Sequence, residues 1–245
     1  NYIYNNCATK IRDLFQEIIP GYVQYDSINK DNFSFRELMD LYLYDQKWGD
    51  LGIDICLGSE IDKIADNYNS MYLPDYLFSN LDNAKTSKNQ NFILKENKIF
   101  STSKTKNSSF FFSPSLVLFT LLLITVFLIF RERKYDLWYK KFDFTLFFIS
   151  GAIGLLLVYL WFFTDHLSSY NFNLIWAFPL NIVAAFFLFN EKILDKIKIY
   201  FFTISLLLFS LILLWFFFTS KIKCVACVFG FSNFITFNFN LFQIT

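Results

Sequence analysis

Histidine is nearly missing from this chain: one residue in 245, alongside four cysteines and four prolines. One imidazole is too few for a multi-histidine metal centre. The carboxylate beside it, Asp165, does not complete the ligand set that zinc requires, so no metal and no cofactor is expected. There is no Gly-x-Ser-x-Gly, no phosphate-binding glycine loop and no dinucleotide fingerprint, which removes the common serine-hydrolase and nucleotide readings. No charged segment leading into an apolar stretch and a cleavage site opens the chain, so no secretory signal is expected. It starts at Asn1 rather than methionine and is expected to continue upstream.

A net basic excess is also lacking, since 22 Lys and Arg face 21 Asp and Glu. The balance conceals a segregation. Residues 1–82 carry fourteen acids against six bases, whereas residues 83–113 carry one acid against six bases. The bases form no face interleaved with stacking aromatics, so no nucleic-acid partner is expected. The 35 phenylalanines, with the excess of Asn, Lys and Ile, fit nucleotide bias and are given no functional weight.

What the chain does have is long uncharged apolar runs. Residues 114–130, 144–163 and 199–218 each suffice to cross about 30 Å of hydrocarbon. Residues 174–189 form a shorter run interrupted by Pro179, expected as a fourth, kinked span. Residues 219–245 are apolar but studded with Asn233, Asn238 and Asn240, and are left as an uncertain tail. The loop after the first run holds Arg131, Arg133, Lys134, Lys140 and Lys141, and the loop after the third holds Lys192, Lys196 and Lys198, so both are expected to be cytoplasmic. Residues 164–173 hold no Lys or Arg and are expected outside, together with residues 1–113.

Residues 1–82 read as a mainly helical part of an extramembrane domain, and residues 83–113, rich in Lys, Asn, Ser and Thr, as a polar linker. Ile11, Leu14, Phe15, Ile18 and Ile19 recur at helical spacing and predict one buried stripe. Asn5 or Asn6 caps that helix, which sets Cys7 in its first turn, where backbone N–H groups and the dipole favour a thiolate. The competing reading of Cys7 is a small packed core thiol. Ser34 and Glu37 have capping-box spacing, Ser59–Asp62 offers a weaker helix start, and Pro74 suits the first position of another helix. Cys56, amid Ile53, Ile55 and Leu57, is expected in a core. Cys224 and Cys227 have dithiol spacing without a strand-helix context. Asp165, His166, Asn171 and Asn173 cluster in one short loop between Trp161 and Trp176. His166 there is open to three roles: a base, a donor to a lipid phosphate, or a plain loop residue.

Several strings together carry a resemblance. Residues 6–13 (Asn-Cys-Ala-Thr-Lys-Ile-Arg-Asp), Trp48 with Gly52, Asp54 and Leu57-Gly58-Ser59, and residues 71–77 (Met-Tyr-Leu-Pro-Asp-Tyr-Leu) resemble the end of the Lnb N-terminal periplasmic domain. Gly154 through Asp165-His166, followed by residues 171–180, resemble its transmembrane partner. The resemblance implies a C-terminal fragment of a bacterial lipoprotein N-acyltransferase of the Lnb type. It would be an α-helical polytopic membrane domain of at least four spans, preceded by the mainly helical end of an α+β, permuted papain-like extracytoplasmic domain. On that resemblance Cys7 is the nucleophile, Asn6, Arg12 and Asp13 support it, and Asp165, His166, Asn171, Asn173 and Trp176 place substrate. A phospholipid would be the acyl donor and a diacylglyceryl-cysteine lipoprotein the acceptor, at the inner (cytoplasmic) membrane with the N-terminal domain periplasmic. In the family a histidine precedes the Asn-Cys pair, and none precedes Cys7 here. A cysteine amidase or peptidase of the envelope, using water as acceptor, and a non-catalytic membrane scaffold are the alternatives.

Overall fold

Proline, serine and glycine positions account for where the helices begin, stop and meet in the computed structural model, which describes residues 2–18, 32–85, 90–100, 112–190, 193, 199–207 and 209–210. In order these are α1 (Cys7–Ile18), α2 (Phe35–Leu43), α3 (Lys47–Cys56), a 3-10 turn (Ser59–Asp62), α4 (Asn67–Ser70), α5 (Pro74–Asp82), α6 (Pro114–Tyr135), α7 (Lys140–Phe163), a second 3-10 turn (Phe172–Ile175) and α8 (Asn181–Phe187). Among the described residues β pairing is confined to the isolated bridges Ser34–Ile64 and Lys85–Asn91. The chain divides into two units: residues 1–46, 59–108 and 165–167 form one, and residues 47–58, 109–164 and 168–245 the other.

In the first unit Ser34 and Glu37 close a capping box that starts α2, as their spacing predicts. Pro74 opens α5 from the first turn, where its missing N–H costs nothing. Ser59–Asp62 makes only a 3-10 turn, and Arg36 of α2 pairs with its Asp62 at 2.7 Å. Ala8, Met71, Leu77 and Leu81 are buried together, with Phe15, Tyr68, Phe92 and Ile93 packed against them. The expected stripe on α1 is therefore not the buried one. Ile11, Leu14 and Ile18 are 47%, 53% and 66% exposed, while Ala8, Thr9 and Arg12 are buried. Periodicity finds an apolar face, but packing is decided by the face whose small and polar groups find partners on α4 and α5. Ile19 lies outside the described residues. Beyond α5, Phe92 and Ile93 pack on this core, whereas Leu94, Ile99 and Phe100 are strongly exposed.

Among its described residues the second unit holds two helices long and apolar enough to cross a membrane, α6 and α7. Their 22 and 24 residues extend about 33 and 36 Å, against about 30 Å of hydrocarbon. Ser113 caps α6 and Pro114 follows it. At the other end Asp136 adopts a left-handed conformation (φ 51°), and its N–H returns to the Glu132 carbonyl. The connection to α7 is tied by Tyr139 N–H donating to Glu132 Oε1 (2.6 Å) and Trp138 Nε1–H to Asp143 Oδ2 (2.7 Å).

The span expected over residues 174–189 is not one helix. It begins as a 3-10 turn, passes through Trp176–Leu180 and resumes as the seven-residue α8. Pro179 has no N–H to continue a helix, and the break is held against α7 by two glycines. A Cβ on Gly151 would lie 2.5 Å from Ile182 N, and one on Gly154 would run into the Ala177 carbonyl oxygen. Close approach of backbones over small residues is how helices pack in lipid. Phe147, Leu157, Trp176, Ala177, Ala184, Ala185, Leu188, Phe201 and Ile204 form the core there. At its centre Asn181, 1% exposed, donates to Ser150 Oγ (3.0 Å) and the Trp176 carbonyl (3.2 Å) and accepts from Tyr200 O–H (2.5 Å). Of the run 199–218, residues 199–207 and 209–210 are helical. The remainder, with Cys224, Cys227 and the tail, lies outside the described residues.

Candidate functional site

Asn6 caps α1, so Cys7 is its first helical residue. The cap is reciprocal: Thr9 N–H donates to Asn6 Oδ1 (2.9 Å), and Asn6 N–H donates to Thr9 Oγ1 (2.8 Å). Thr9 O–H also donates to the Asn6 carbonyl (2.9 Å), and Asn6 Nδ2 donates to the Tyr72 carbonyl (2.9 Å). Asn6 therefore does two things at once: it satisfies the helix start and fastens that start to the segment before α5. Tyr72, 1% exposed, is fixed in turn through its O–H to the Phe35 carbonyl (3.1 Å). Cys7 itself is exposed rather than packed among the described residues.

One turn further on, Arg12 and Asp13 lock α1 to α4. The Arg12 guanidinium lies 3.8 Å over the Tyr68 ring, donates to the Tyr68 carbonyl (3.1 Å) and pairs with Asp13 Oδ1 at 2.7 Å. Tyr68 O–H donates to the same Asp13 oxygen (2.8 Å). Burial works against the Asp13 carboxylate. The Tyr68 and Arg12 hydrogen bonds and the charges of Arg12 and Lys10 outweigh it, leaving its pKa below the ordinary carboxylate value. Asn6, Cys7, Arg12 and Asp13 are thus brought together on one anchored helix. Thr9, Tyr68 and Tyr72 belong to the anchor and were not singled out from sequence. Thr9 occupies the reciprocal position of a capping box, a legible signal, whereas Tyr68 and Tyr72 carry no local one.

The loop residues divide. Asp165 and His166 belong to the unit that contains Cys7, whereas Asn171, Asn173 and Trp176 belong to the other. The last three do not offer their polar groups to a ligand. Asn171 Nδ2 donates to the carbonyls of Ile55 (2.7 Å) and Cys56 (3.2 Å), and Asn173 Nδ2 to those of Asp54 (3.2 Å) and Ile55 (3.1 Å). Asn171 Oδ1 accepts from Asn173 N–H, and Asn173 Oδ1 accepts from Trp176 Nε1–H. Trp176, expected beside a lipid headgroup, is 1% exposed inside the core. Asn171 and Asn173 cap the last carbonyls of α3, which a helix end leaves unpaired. Cys56, at that end, is half-buried, and burial pushes its thiol pKa up.

Comparison with family models matches residues 105–245 to the Lnb transmembrane domain, a five-helix unit. The chain belongs to this family. The match covers more than half of the chain and establishes a membrane protein of the Lnb type, in agreement with α6 and α7. Within the Lnb domain the described residues supply those two long helices, the broken segment at Trp176–Leu180 and α8. No curated protein and no solved structure matches the chain.

Proposed function

We propose that this Lnb-type chain serves a membrane-bound N-acyltransferase that moves an acyl chain from a phospholipid, through a thioester on Cys7, to the α-amine of a lipoprotein diacylglyceryl-cysteine. The observation that carries the reading is the exposed Cys7 at the first position of an anchored helix, in a chain of this family. In the reaction the Cys7 sulfur attacks the ester carbonyl, the C–O bond breaks, and lysophospholipid leaves with the proton that a histidine base took from the thiol. The acceptor amine then attacks the thioester, the C–S bond breaks, and the thiol is restored. Covalent catalysis divides one difficult transfer into two easier ones. The base, on the resemblance, is a histidine ahead of the Asn-Cys pair.

Each neighbouring residue has a part in this scheme. Asn6 and Thr9 hold the helix start, so its N–H groups meet charge that develops on the substrate. Arg12 and Asp13 position the helix. Asp165 and His166 place the lipid headgroup. Residues 1–82 would be the extracytoplasmic end of an α+β, papain-like domain facing the periplasm, with the spans in the inner membrane. Tethering to a membrane domain confines enzyme and both lipid-bearing substrates to one surface and raises their effective concentration. The test is acyl transfer by the full-length protein carrying Cys7→Ser, at matched expression. Loss of transfer is expected, because an alkoxide is much harder to generate than a thiolate. Undiminished transfer would refute the thioester route.

A further inference from the structure

The helix α3 stands between segments of the first unit in sequence, yet it is built into the second. Its start is fixed where α6 begins: Trp48 Nε1–H donates to the Phe112 carbonyl (2.7 Å), and the two rings lie 5.7 Å apart. Its end is fixed beyond the finish of α7, by the four Asn171 and Asn173 hydrogen bonds to its last carbonyls. The exit from α3 is pressed down as well, since a Cβ on Gly58 would strike the Ser169 carbonyl. Pro114 and Phe163 are the ends of the two apolar helices away from the 136–139 connection. The ten residues of α3 extend about 15 Å.

The same ends are rich in exposed aromatics. Trp48, Phe112, Phe162, Phe163, Tyr170 and Phe172 are between 43% and 74% exposed, and Val117, Phe119 and Leu123 of α6 are exposed as well. The amphipathic rings of Trp48 and Tyr170 are of the kind that settles at the boundary between hydrocarbon and headgroups, and Phe112, Phe162, Phe163 and Phe172 add apolar surface beside it.

We propose that α3 is an interfacial helix, lying in the headgroup layer at the end of the membrane domain where α6 begins and α7 finishes, with the lipid surface as its partner. Residues 46 and 59, on either side of α3, belong to the first unit, so the chain of that unit runs through this helix. The inference stands on the second unit alone and is independent of the chemistry at Cys7.

The test uses the full chain in phosphatidylcholine nanodiscs, with Cys7, Cys56, Cys224 and Cys227 replaced by serine and one new cysteine carrying an environment-sensitive fluorophore. Gly52→Cys is the reporter, because nothing lies within 4 Å of a Cβ there. Asp45→Cys and Phe127→Cys report the first unit and the flank of α6. The label at 52 is expected to emit at shorter wavelength than the label at 45, and to be quenched more by nitroxides at the lipid headgroup than at the bilayer centre, with the label at 127 reversed. A label at 52 that behaves like either control overturns the proposal. Adding Trp48→Ala with Asn171→Leu is expected to abolish headgroup quenching at 52 and leave 127 unchanged. Persistence of that quenching refutes the pinning, and the parent measurement decides the location whether or not the double variant folds.

Discussion

Replacing Asn181 by leucine is expected to destabilise the membrane domain, although leucine is the more lipid-soluble residue. Asn181 is 1% exposed and makes three hydrogen bonds, to Ser150, the Trp176 carbonyl and Tyr200. The variant leaves the Tyr200 hydroxyl and the Trp176 carbonyl without that partner, whereas Ser150 keeps its bond to the Phe147 carbonyl. Hydrogen bonds between membrane helices are worth about 0.6 kcal/mol on average, so three amount to roughly 2 kcal/mol. That is a fall of about 30-fold in the ratio of folded to unfolded protein. Reversible unfolding of the chain in bicelles, followed by steric trapping or by detergent titration, reads this quantity. Tyr200→Phe removes one of the stranded groups, so the double variant should lose less than the two single variants added together, by roughly 0.6 kcal/mol or more. A neutral or stabilising Asn181→Leu, or strict additivity, would refute the claim that this cluster holds the broken segment.

Three further outcomes follow from particular contacts. Gly154→Ala should cost about 1–3 kcal/mol in the same unfolding assay, because its Cβ meets the backbone of Ala177 and Pro179 rather than a flexible side chain; an unchanged midpoint would contradict the close approach. Asp13 has a depressed folded-state pKa, so its contribution is present above the unfolded value near 3.9 and is lost as pH falls through the lower folded value. Proteolytic susceptibility of the first unit should rise over that acid window in the parent and change less steeply with Asp13→Asn, and parallel profiles would remove Asp13 as the cause. Among the described cysteines, a soluble maleimide at neutral pH should label Cys7 well before Cys56, which is half-buried with its pKa raised; faster labelling of Cys56 would contradict the site geometry.

Much of the local architecture is legible in the sequence because it rests on single residues with fixed physical consequences. Ser34 with Glu37 and Pro74 each mark a helix start that the structure contains. The two long apolar runs are readable for the same reason, since length and hydropathy are local quantities. The misreadings arise where a partner distant in sequence decides. Ile11, Leu14 and Ile18 have the right period, but the face of α1 that meets α4 and α5 is the one carrying Ala8, Thr9 and Arg12. In residues 174–189 the kink expected at Pro179 is present as a break between the 3-10 turn and α8, but the close approach to Gly151 and Gly154 of α7 that holds it is set by residues distant in sequence. Asn171 and Asn173 look like ligand groups in a polar loop, and nothing local announces that α3, more than a hundred residues earlier, ends in carbonyls that need donors.

Cys7 is proposed as the residue that carries the acyl group. The most direct measurement is mass spectrometry of the full-length protein incubated with a defined phospholipid in the absence of acceptor, with the peptide that contains Cys7 isolated under acid conditions. A mass increase equal to that lipid's acyl chain, released by neutral hydroxylamine and absent in Cys7→Ser, is the expected result. An unmodified Cys7 in protein that still transfers acyl chains on addition of acceptor would contradict the account.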